Sequence, residues 1–513
     1  GQCAHDDNLL SLLAVIARSL CSLRTHSGAI ERPVGMDAGN GKLVLQSKNV
    51  CVVGGGMAGL AAARELRREG HAVTVMEQSG DVGGQWLYDP RTDGADPLGA
   101  VVPVRVPSSI YACLRLISPR EAMGFSDFQF LPREGDDHDP RRFPGHREVH
   151  SYLREFCDAF GLMDAVRFNT RVLRVAAAAA PVTSTAGQWA VRSVRHPGGG
   201  TDDDAAHEVV EEVFDAVVVA TGHYSQPMLP SGIEGMEEWS RRQLHGHSYR
   251  TPEPFRGETV VVVGCGDSGK DIALDLCRVA REVHLAANAF SMEEATTPAM
   301  SRVLANHGEV LRLHPRICRL HAEGRVEFAD GSSVVADSLI YCTGYRYSFP
   351  FLDTGGAVTV EDEVVGPLFE HVFPPSLAPS LSFVGVPRKI LVPWFFETQA
   401  KWVAQVLSGR RALPPEEEML RAVEEHYRAR EAAGVPRKLT HNIGGVEPLK
   451  MYEFGEKYCD FAPLEEWKKE LIVSSILSMK DDAETFRDHT DDSEKVQKGL
   501  RAWRGLAARP QDG

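Results

Sequence analysis

The sequence lacks the cysteine patterns that would indicate a zinc knuckle or a disulfide scaffold. Its 10 cysteines are scattered over 513 residues and include no C-x-x-C pair. It also lacks an excess of basic residues, because 56 Lys and Arg stand against 71 Asp and Glu, for a formal net charge of -15. Such a surface argues against nucleic acid or an anionic membrane as the main partner. Isolated cysteines suit a reducing compartment, so we expect a cytoplasmic protein.

Long apolar runs are missing as well. The run at positions 9–23 is interrupted by Arg18 and is shorter than the about 20 residues that span a bilayer. Recurring arginines leave an organellar presequence open as an alternative, although Asp6 and Asp7 precede the run. We therefore expect no membrane anchor, an N-terminal extension outside the fold at 1–46, and a polar, acidic tail at 471–513.

A glycine-rich turn follows the first apolar, β-branched run, NVCVV. A stretch of helical composition comes next, and then a second apparent strand that ends in Glu77. This order of strand, glycine turn, helix, strand and acid predicts a dinucleotide site, with the diphosphate at the helix N-terminus and the Glu77 carboxylate on a ribose hydroxyl. The turn consists of Gly54, Gly55, Gly56, Met57, Ala58 and Gly59. A structural strand–helix turn is the alternative interpretation.

A second pattern of the same kind begins 210 residues later, after the run TVVVV. Two complete fingerprints are far more specific than one, and two bound dinucleotides indicate hydride transfer between a flavin and a nicotinamide. The second turn consists of Gly264, Cys265, Gly266, Asp267, Ser268 and Gly269. After the first fingerprint, the segment with Gln85 and Trp86 is a candidate to lie along the flavin ring, or else a simple loop. No cysteine pair or metal-ligand cluster could relay electrons, so the expected acceptor is dioxygen or a bound organic molecule.

Longer motifs make the sequence resemble the flavin-containing monooxygenases, most closely their plant S-oxygenating, glucosinolate S-oxygenase-like branch. The likeness covers about residues 48–470. The motifs that carry it are GGGMAGLAAARELRREGHAVTVMEQSGDVGGQW, VPSSIYACLRLISPREAMGF, FPGHREVHSYL, HGHSYRTPEPFRGETVVVVGCGDSGKDIA, YCTGYRYSFPFL and WFFETQAKWVA. The resemblance implies that NADPH reduces FAD, that O2 adds at flavin C4a, and that the resulting hydroperoxide oxygenates a soft sulfur or nitrogen atom.

Some positions depart from the family pattern. Ile117 stands where the family carries an Asn beside the flavin, and losing one such donor typically costs ~3 kcal/mol. Ser118 or a one-residue shift could restore that donor. Asn288 stands where an Arg is expected to hold the 2′-phosphate of NADPH, so weak selectivity against NADH is expected unless Arg302 or another nearby basic residue substitutes. The resemblance implies a flavin contact for Gln399 and leaves His245 either a cofactor contact or a structural hydrogen-bonding residue.

The sequence thus predicts an α/β fold of two Rossmann-like domains, with the NADPH domain inserted into the FAD domain. The expected boundaries are 47–228 and 346–470 for the two parts of the FAD domain and 229–345 for the NADPH domain. The expected function is FAD- and NADPH-dependent S-oxygenation of a methylthioalkyl-type thioether. N-hydroxylation of an amine, an uncoupled NAD(P)H oxidase that releases H2O2, and a nucleotide-sensing protein without turnover are the alternatives.

Overall fold

A computed structural model describes residues 45–178, 187–195, 209–288, 296–489 and 491–507. The predicted extension at 1–46 therefore lies almost entirely outside the described residues. In chain order, the strands are β1 (Asn49–Val53), β2 (Ala72–Met76), β3 (Val166–Arg167), β4 (Thr170–Ala177), β5 (Trp189–Arg195), β6 (Val209–Phe214), β7 (Ala216–Val219), β8 (Arg242–His245), β9 (Thr259–Val263), β10 (Glu282–Ala286), β11 (Leu311–His314), β12 (Ile317–Leu320), β13 (Arg325–Phe328), β14 (Ser333–Val335), β15 (Ser338–Tyr341), β16 (Leu352–Asp353), β17 (Thr359–Glu361), β18 (Val364–Gly366) and β19 (Leu381–Phe383).

The α-helices connect these strands and cover the sheets. In chain order, they are α1 (Met57–Arg68), α2 (His146–Ala159), α3 (Asp267–Leu276), α4 (Pro298–His307), α5 (Val392–Leu407), α6 (Glu416–Ala432), α7 (Ile443–Val446), α8 (Pro448–Cys459), α9 (Glu466–Asp481) and α10 (Glu494–Ala507).

Two five-stranded sheets organise the molecule, and every strand pair in both of them is parallel. The first has the order β19-β7-β1-β2-β3 and the second the order β11-β10-β9-β15-β8. Their central strands β1, β7, β9 and β15 are almost wholly buried. This burial on both faces explains why the sequence shows continuous β-branched runs there rather than alternation.

The order of strands along the chain shows how the two sheets are connected. All strands of the second sheet lie between β7 and β19, which are neighbours in the first sheet. The second sheet is therefore inserted into the first, as predicted. The predicted α/β class with two Rossmann-like units is confirmed.

Smaller sheets and helices complete the fold. A four-stranded sheet has the order β16-β4-β5-β6, β12-β13-β14 form an antiparallel sheet, and β17 pairs with β18. The main core lies between the first sheet and the helices, where α1 packs against the almost completely buried α5. Among the described residues, no helix has the length and apolar character needed to cross a membrane.

Candidate functional site

The first glycine turn joins β1 to α1 in a geometry that requires glycine. Gly54 has a φ of +107°, and a Cβ there would lie 2.6 Å from the Ala220 carbonyl oxygen. A Cβ on Gly59 would lie 1.8 Å from the Gly54 carbonyl oxygen. Helix and strand thus approach as closely as backbone allows, which explains the motif spacing.

No side chain caps the N-terminus of α1. Gly56 precedes the helix and has no side chain to cap its first N–H groups. Free N–H groups at a helix N-terminus, together with the helix dipole, suit a diphosphate. Gly84 lies directly against Gly56, because a Cβ on Gly84 would be 2.8 Å from Gly56 Cα. The predicted flavin segment therefore meets the turn, with Trp86 buried and Gln85 exposed.

Glu77 holds this turn from the end of β2. Its carboxylate accepts hydrogen bonds from the backbone N–H of Gly55 at 2.6 Å and of Ser79 at 2.7 Å. Burial raises the pKa of Glu77, and these hydrogen bonds oppose the shift. The carboxylate thus has a structural role, and its contact with a ribose stays a prediction.

Gln399 is fully buried in α5. Its Oε1 accepts a hydrogen bond from the Gly385 N–H at 3.1 Å, while its Nε2 has no hydrogen-bond partner among the described residues. Gly385 in turn contacts α1, because a Cβ there would lie 3.2 Å from Ala58 Cβ. A buried donor without a partner costs about 1–3 kcal/mol. The Gln399 donor fits a ligand with acceptor atoms, and the uncapped N-terminus of α1 fits a diphosphate. A flavin dinucleotide has both groups.

A buried charged cluster fixes α1 to α5 beneath the turn. Arg64 donates to Glu397 of α5, to Asp127 at 2.6 Å and to Glu65 at 2.9 Å. Burial lowers the pKa of Arg64, but the three carboxylates outweigh it and the net shift is upward. The guanidinium therefore stays charged, and removing Arg64 would leave the buried Glu397 carboxylate without a cationic partner.

The second glycine turn repeats the geometry of the first between β9 and α3. Gly264 has a φ of +112°, and a Cβ on Gly269 would lie 1.9 Å from the Gly264 carbonyl oxygen. A Cβ on Gly266 would meet nothing within 4 Å, and Ser268 is exposed. This helix N-terminus is therefore accessible, with the half-buried Cys265 beside it.

An ion pair links the second turn to the loop that precedes α5. Lys389 Nζ lies 3.4 Å from Asp267 Oδ2, at the first residue of α3. The helix that begins at the second turn is thus connected to the helix that carries Gln399. Both side chains are more than half exposed, so the pair adds little to stability.

Ile117 and Asn288 occupy exposed positions. Ile117 is 42% exposed, on the loop that follows the buried Leu116. Asn288 is exposed and lies two residues after the end of β10. It is the last described residue before position 296. The roles predicted for both residues stay predictions.

His245 is almost completely buried at the end of β8. Its Nδ1 accepts a hydrogen bond from the His247 N–H at 3.0 Å, and its ring lies edge-on to Tyr345 at 5.3 Å. Burial, with the neighbouring His247, lowers the pKa of His245 to about 3. Whether His245 contacts a cofactor or is a structural hydrogen-bonding residue stays a prediction.

The part of the chain that the structure describes contains free thiols and no candidate metal site. Its cysteines are free, and burial raises the pKa of Cys157 to about 12. No group of three or more His, Cys, Asp or Glu side chains there could hold a metal ion.

Sequence reasoning missed Gly385, Lys389 and Thr221. Thr221 Oγ1 is buried without a hydrogen-bond partner among the described residues, and Thr221 and Gly385 line one small cavity. Both follow strands of the first sheet, β7 and β19. Because ligands bind at the carboxyl ends of parallel strands, a search of the residues after each apolar run would have found these two.

Comparisons with known proteins show which family the chain belongs to. The family model described as flavin-binding monooxygenase-like matches residues 47–306 and 297–443. The flavin-containing monooxygenase FMO GS-OX-like 8 of Arabidopsis thaliana is 50% identical over 461 residues, which are 89% of this chain and 95% of that protein. FMO GS-OX4 of the same plant is 42% identical over 458 residues, 88% of this chain and 94% of its own length.

A solved structure extends the likeness to three dimensions. The S-allyl-L-cysteine S-oxygenase from Allium sativum matches with a TM-score of 0.80 and 41% identity, over 90% of this chain and 100% of that one. The resemblance to the flavin-containing monooxygenases and their plant S-oxygenating branch is confirmed, as are the predicted enzyme class and the cofactors FAD and NADPH. The chain belongs to the flavin-binding monooxygenase-like family.

Proposed function

We propose that this monooxygenase transfers one oxygen atom of O2 to the sulfur of a small thioether. The single observation that carries the proposal is the likeness to the garlic S-oxygenase over nearly the whole of both chains. The Arabidopsis relatives support it by name, since they are GS-OX or GS-OX-like proteins. In the balanced overall reaction, NADPH, a proton, O2 and the thioether give NADP⁺, water and the sulfoxide.

FAD is proposed to bind at the first glycine turn. The N–H groups at the start of α1 would hold the diphosphate, and the Glu77 carboxylate would accept from a ribose hydroxyl. The unpartnered Nε2 of Gln399 would donate to an acceptor atom of the flavin ring. The other proposed contacts are Gly54, Gly55, Gly56, Met57, Ala58, Gly59, Gln85 and Trp86.

NADPH is proposed to bind at the second turn, over Gly264–Gly269. The diphosphate would take the N–H groups at the start of α3, beside the Asp267–Lys389 ion pair. Asn288 offers no positive charge for a 2′-phosphate, so discrimination between NADPH and NADH is expected to be modest.

Bound FAD, reduced by NADPH, supplies the electrons that activate O2. The chain orients the two cofactors and the sulfur and keeps water away from the activated oxygen. Ile117 bears on the second candidate function, an NAD(P)H oxidase that releases H2O2. Its side chain has no hydrogen-bond donor at the position of the family Asn, so we expect partial loss of oxygen as peroxide. N-oxygenation of an amine uses the same cofactors and is a further outcome of the test.

The test is turnover of the purified holoenzyme under ¹⁸O2 with NADPH and a panel of methylthioalkyl compounds and tertiary amines. Mass spectrometry measures the oxygen transferred to the substrate, and a parallel assay measures the oxygen released as H2O2. We expect a sulfoxide that carries one ¹⁸O atom. N-oxides alone would favour amines as substrates, and peroxide without any oxygenated product would favour the oxidase.

A further inference from the structure

The segment between α9 and α10 crosses from the second sheet's helices to loops of the first unit. Glu484 accepts hydrogen bonds from Asn306 at 2.8 Å and from His307 at 2.6 Å, both on α4. At its other end, Asp492 forms a bidentate ion pair with Arg142 at 2.7 and 2.8 Å. We call the described residues of this stretch, 482–489 and 491–492, the connecting segment. It lies within the predicted acidic tail, and its acidic residues Glu484 and Asp492 have specific partners.

Arg487, in the connecting segment, contacts both the loop of Leu116 and the helix α3. Its Nε donates to the Leu116 carbonyl oxygen at 3.0 Å, and its Nη2 lies 3.2 Å from Asp271 Oδ2. The side chain is only 11% exposed and packs over the Phe486 ring at 4.8 Å. A planar guanidinium can serve two acceptors in different directions, whereas a lysine ammonium is a compact point charge.

Asp271 belongs to a row of carboxylates on α3, the helix that begins at the second glycine turn. Asp267, Asp271 and Asp275 are four residues apart and therefore share one face of the helix. Each carboxylate has a partner outside the helix. These partners are Lys389 for Asp267 at 3.4 Å, Tyr111 for Asp271 at 3.0 Å and Tyr249 for Asp275 at 2.7 Å. Arg487 is the second partner of the central carboxylate.

We propose that Arg487 is a positioning residue for the nicotinamide cofactor. It fixes the loop of Tyr111 and Leu116, and with it Ile117, against the helix whose N-terminus is proposed to hold the NADPH diphosphate. Asp271 lies one turn after Asp267 at that N-terminus, and the Leu116 carbonyl directly precedes Ile117. Loss of Arg487 removes one of the two links between these elements and leaves the hydrogen bond from Tyr111 to Asp271. The inference rests on the proposed NADPH position but not on the identity of the organic substrate.

The test compares R487A and R487K with the parent holoenzyme. The dissociation constant of NADP⁺ comes from titration, and H2O2 release per NADPH is measured without any organic substrate. We expect R487A to raise the dissociation constant about tenfold and to speed peroxide release, with FAD content unchanged. R487K should recover only part of the NADP⁺ affinity, because lysine cannot hold both acceptors. The D271N variant, which keeps the shape of the side chain, should weaken NADP⁺ binding in the same direction.

The matched control is D492N. It removes the ion pair between the same segment and Arg142 without touching α3. We expect a lower melting temperature with the NADP⁺ dissociation constant within twofold of the parent. If D492N weakens NADP⁺ binding as much as R487A, or if R487A and D271N leave it unchanged, Arg487 has only a structural role and the proposal is wrong. A parent enzyme that does not bind NADP⁺ would instead refute the proposed cofactor position.

Discussion

Alanine at Gly59 and at Gly269 should disable the two cofactor sites separately. A Cβ would lie 1.8 Å from the Gly54 carbonyl oxygen in the first turn and 1.9 Å from the Gly264 carbonyl oxygen in the second. The obstacle is backbone in both cases, so the start of the helix must move by about 1 Å. Overpacking of this kind costs about 3 kcal/mol, and the better helix propensity of alanine offsets about 1 kcal/mol. The remaining ~2 kcal/mol opposes the turn geometry that binds the dinucleotide. It corresponds to a ~30-fold larger dissociation constant for the dinucleotide at that turn.

The assay measures FAD content by absorbance and NADP⁺ affinity by titration. G59A should bind FAD ~30-fold more weakly and so have a lower FAD content, whereas G269A should keep FAD and bind NADP⁺ ~30-fold more weakly. G505A in α10, where a Cβ meets nothing within 4 Å, is the control and should change neither. Loss of FAD from G269A with retention in G59A would refute the assignment of the two turns.

Further substitutions test the flavin site and the buried histidines. I117N should lower H2O2 release and raise oxygenated product per NADPH by about tenfold, since it restores a donor; an unchanged ratio would show that this position does not limit coupling. Q399E keeps the acceptor for Gly385 but removes the unpartnered donor, so FAD should bind about tenfold more weakly by equilibrium dialysis. Burial lowers the pKa of His441 to about 3, and an unfolded histidine titrates near 6.5. The unfolded state thus binds more protons, and the free energy of unfolding should fall by about 1 kcal/mol for this group from pH 7 to 5.5. H441Q, which keeps an acceptor for the Val365 N–H, should flatten that slope in denaturant titrations.

Both glycine turns were predictable from sequence because local geometry alone imposes their pattern. Strand, turn and helix lie within about 25 residues, and the nearest atoms that a Cβ on Gly59 or Gly269 would meet are backbone atoms of Gly54 and Gly264 in the same turn. The insertion of the second sheet was predictable for a related reason. Two fingerprints in one chain, each followed by a further buried strand, leave few ways to complete two parallel sheets.

Contacts between distant segments were not predictable in this way. Gln399 meets Gly385 through the packing of α5 against the first turn, and Lys389 meets Asp267 across 122 residues of chain. The burial of Arg487 could not be predicted because of the composition around it. It lies in a stretch rich in Asp and Glu that is typical of a solvated tail, and only the fold shows that this arginine is buried between two units.

The central claim is that FAD and NADPH bind at the two turns and face each other. Anaerobic addition of one equivalent of NADPH to the purified, FAD-loaded protein tests it most directly. We expect the yellow absorbance to bleach in wild type, and to bleach far more slowly in G269A at the same NADPH concentration. A protein that stays colourless when FAD is supplied, or a bound flavin that NADPH never reduces, would show that the two cofactors do not bind in this way.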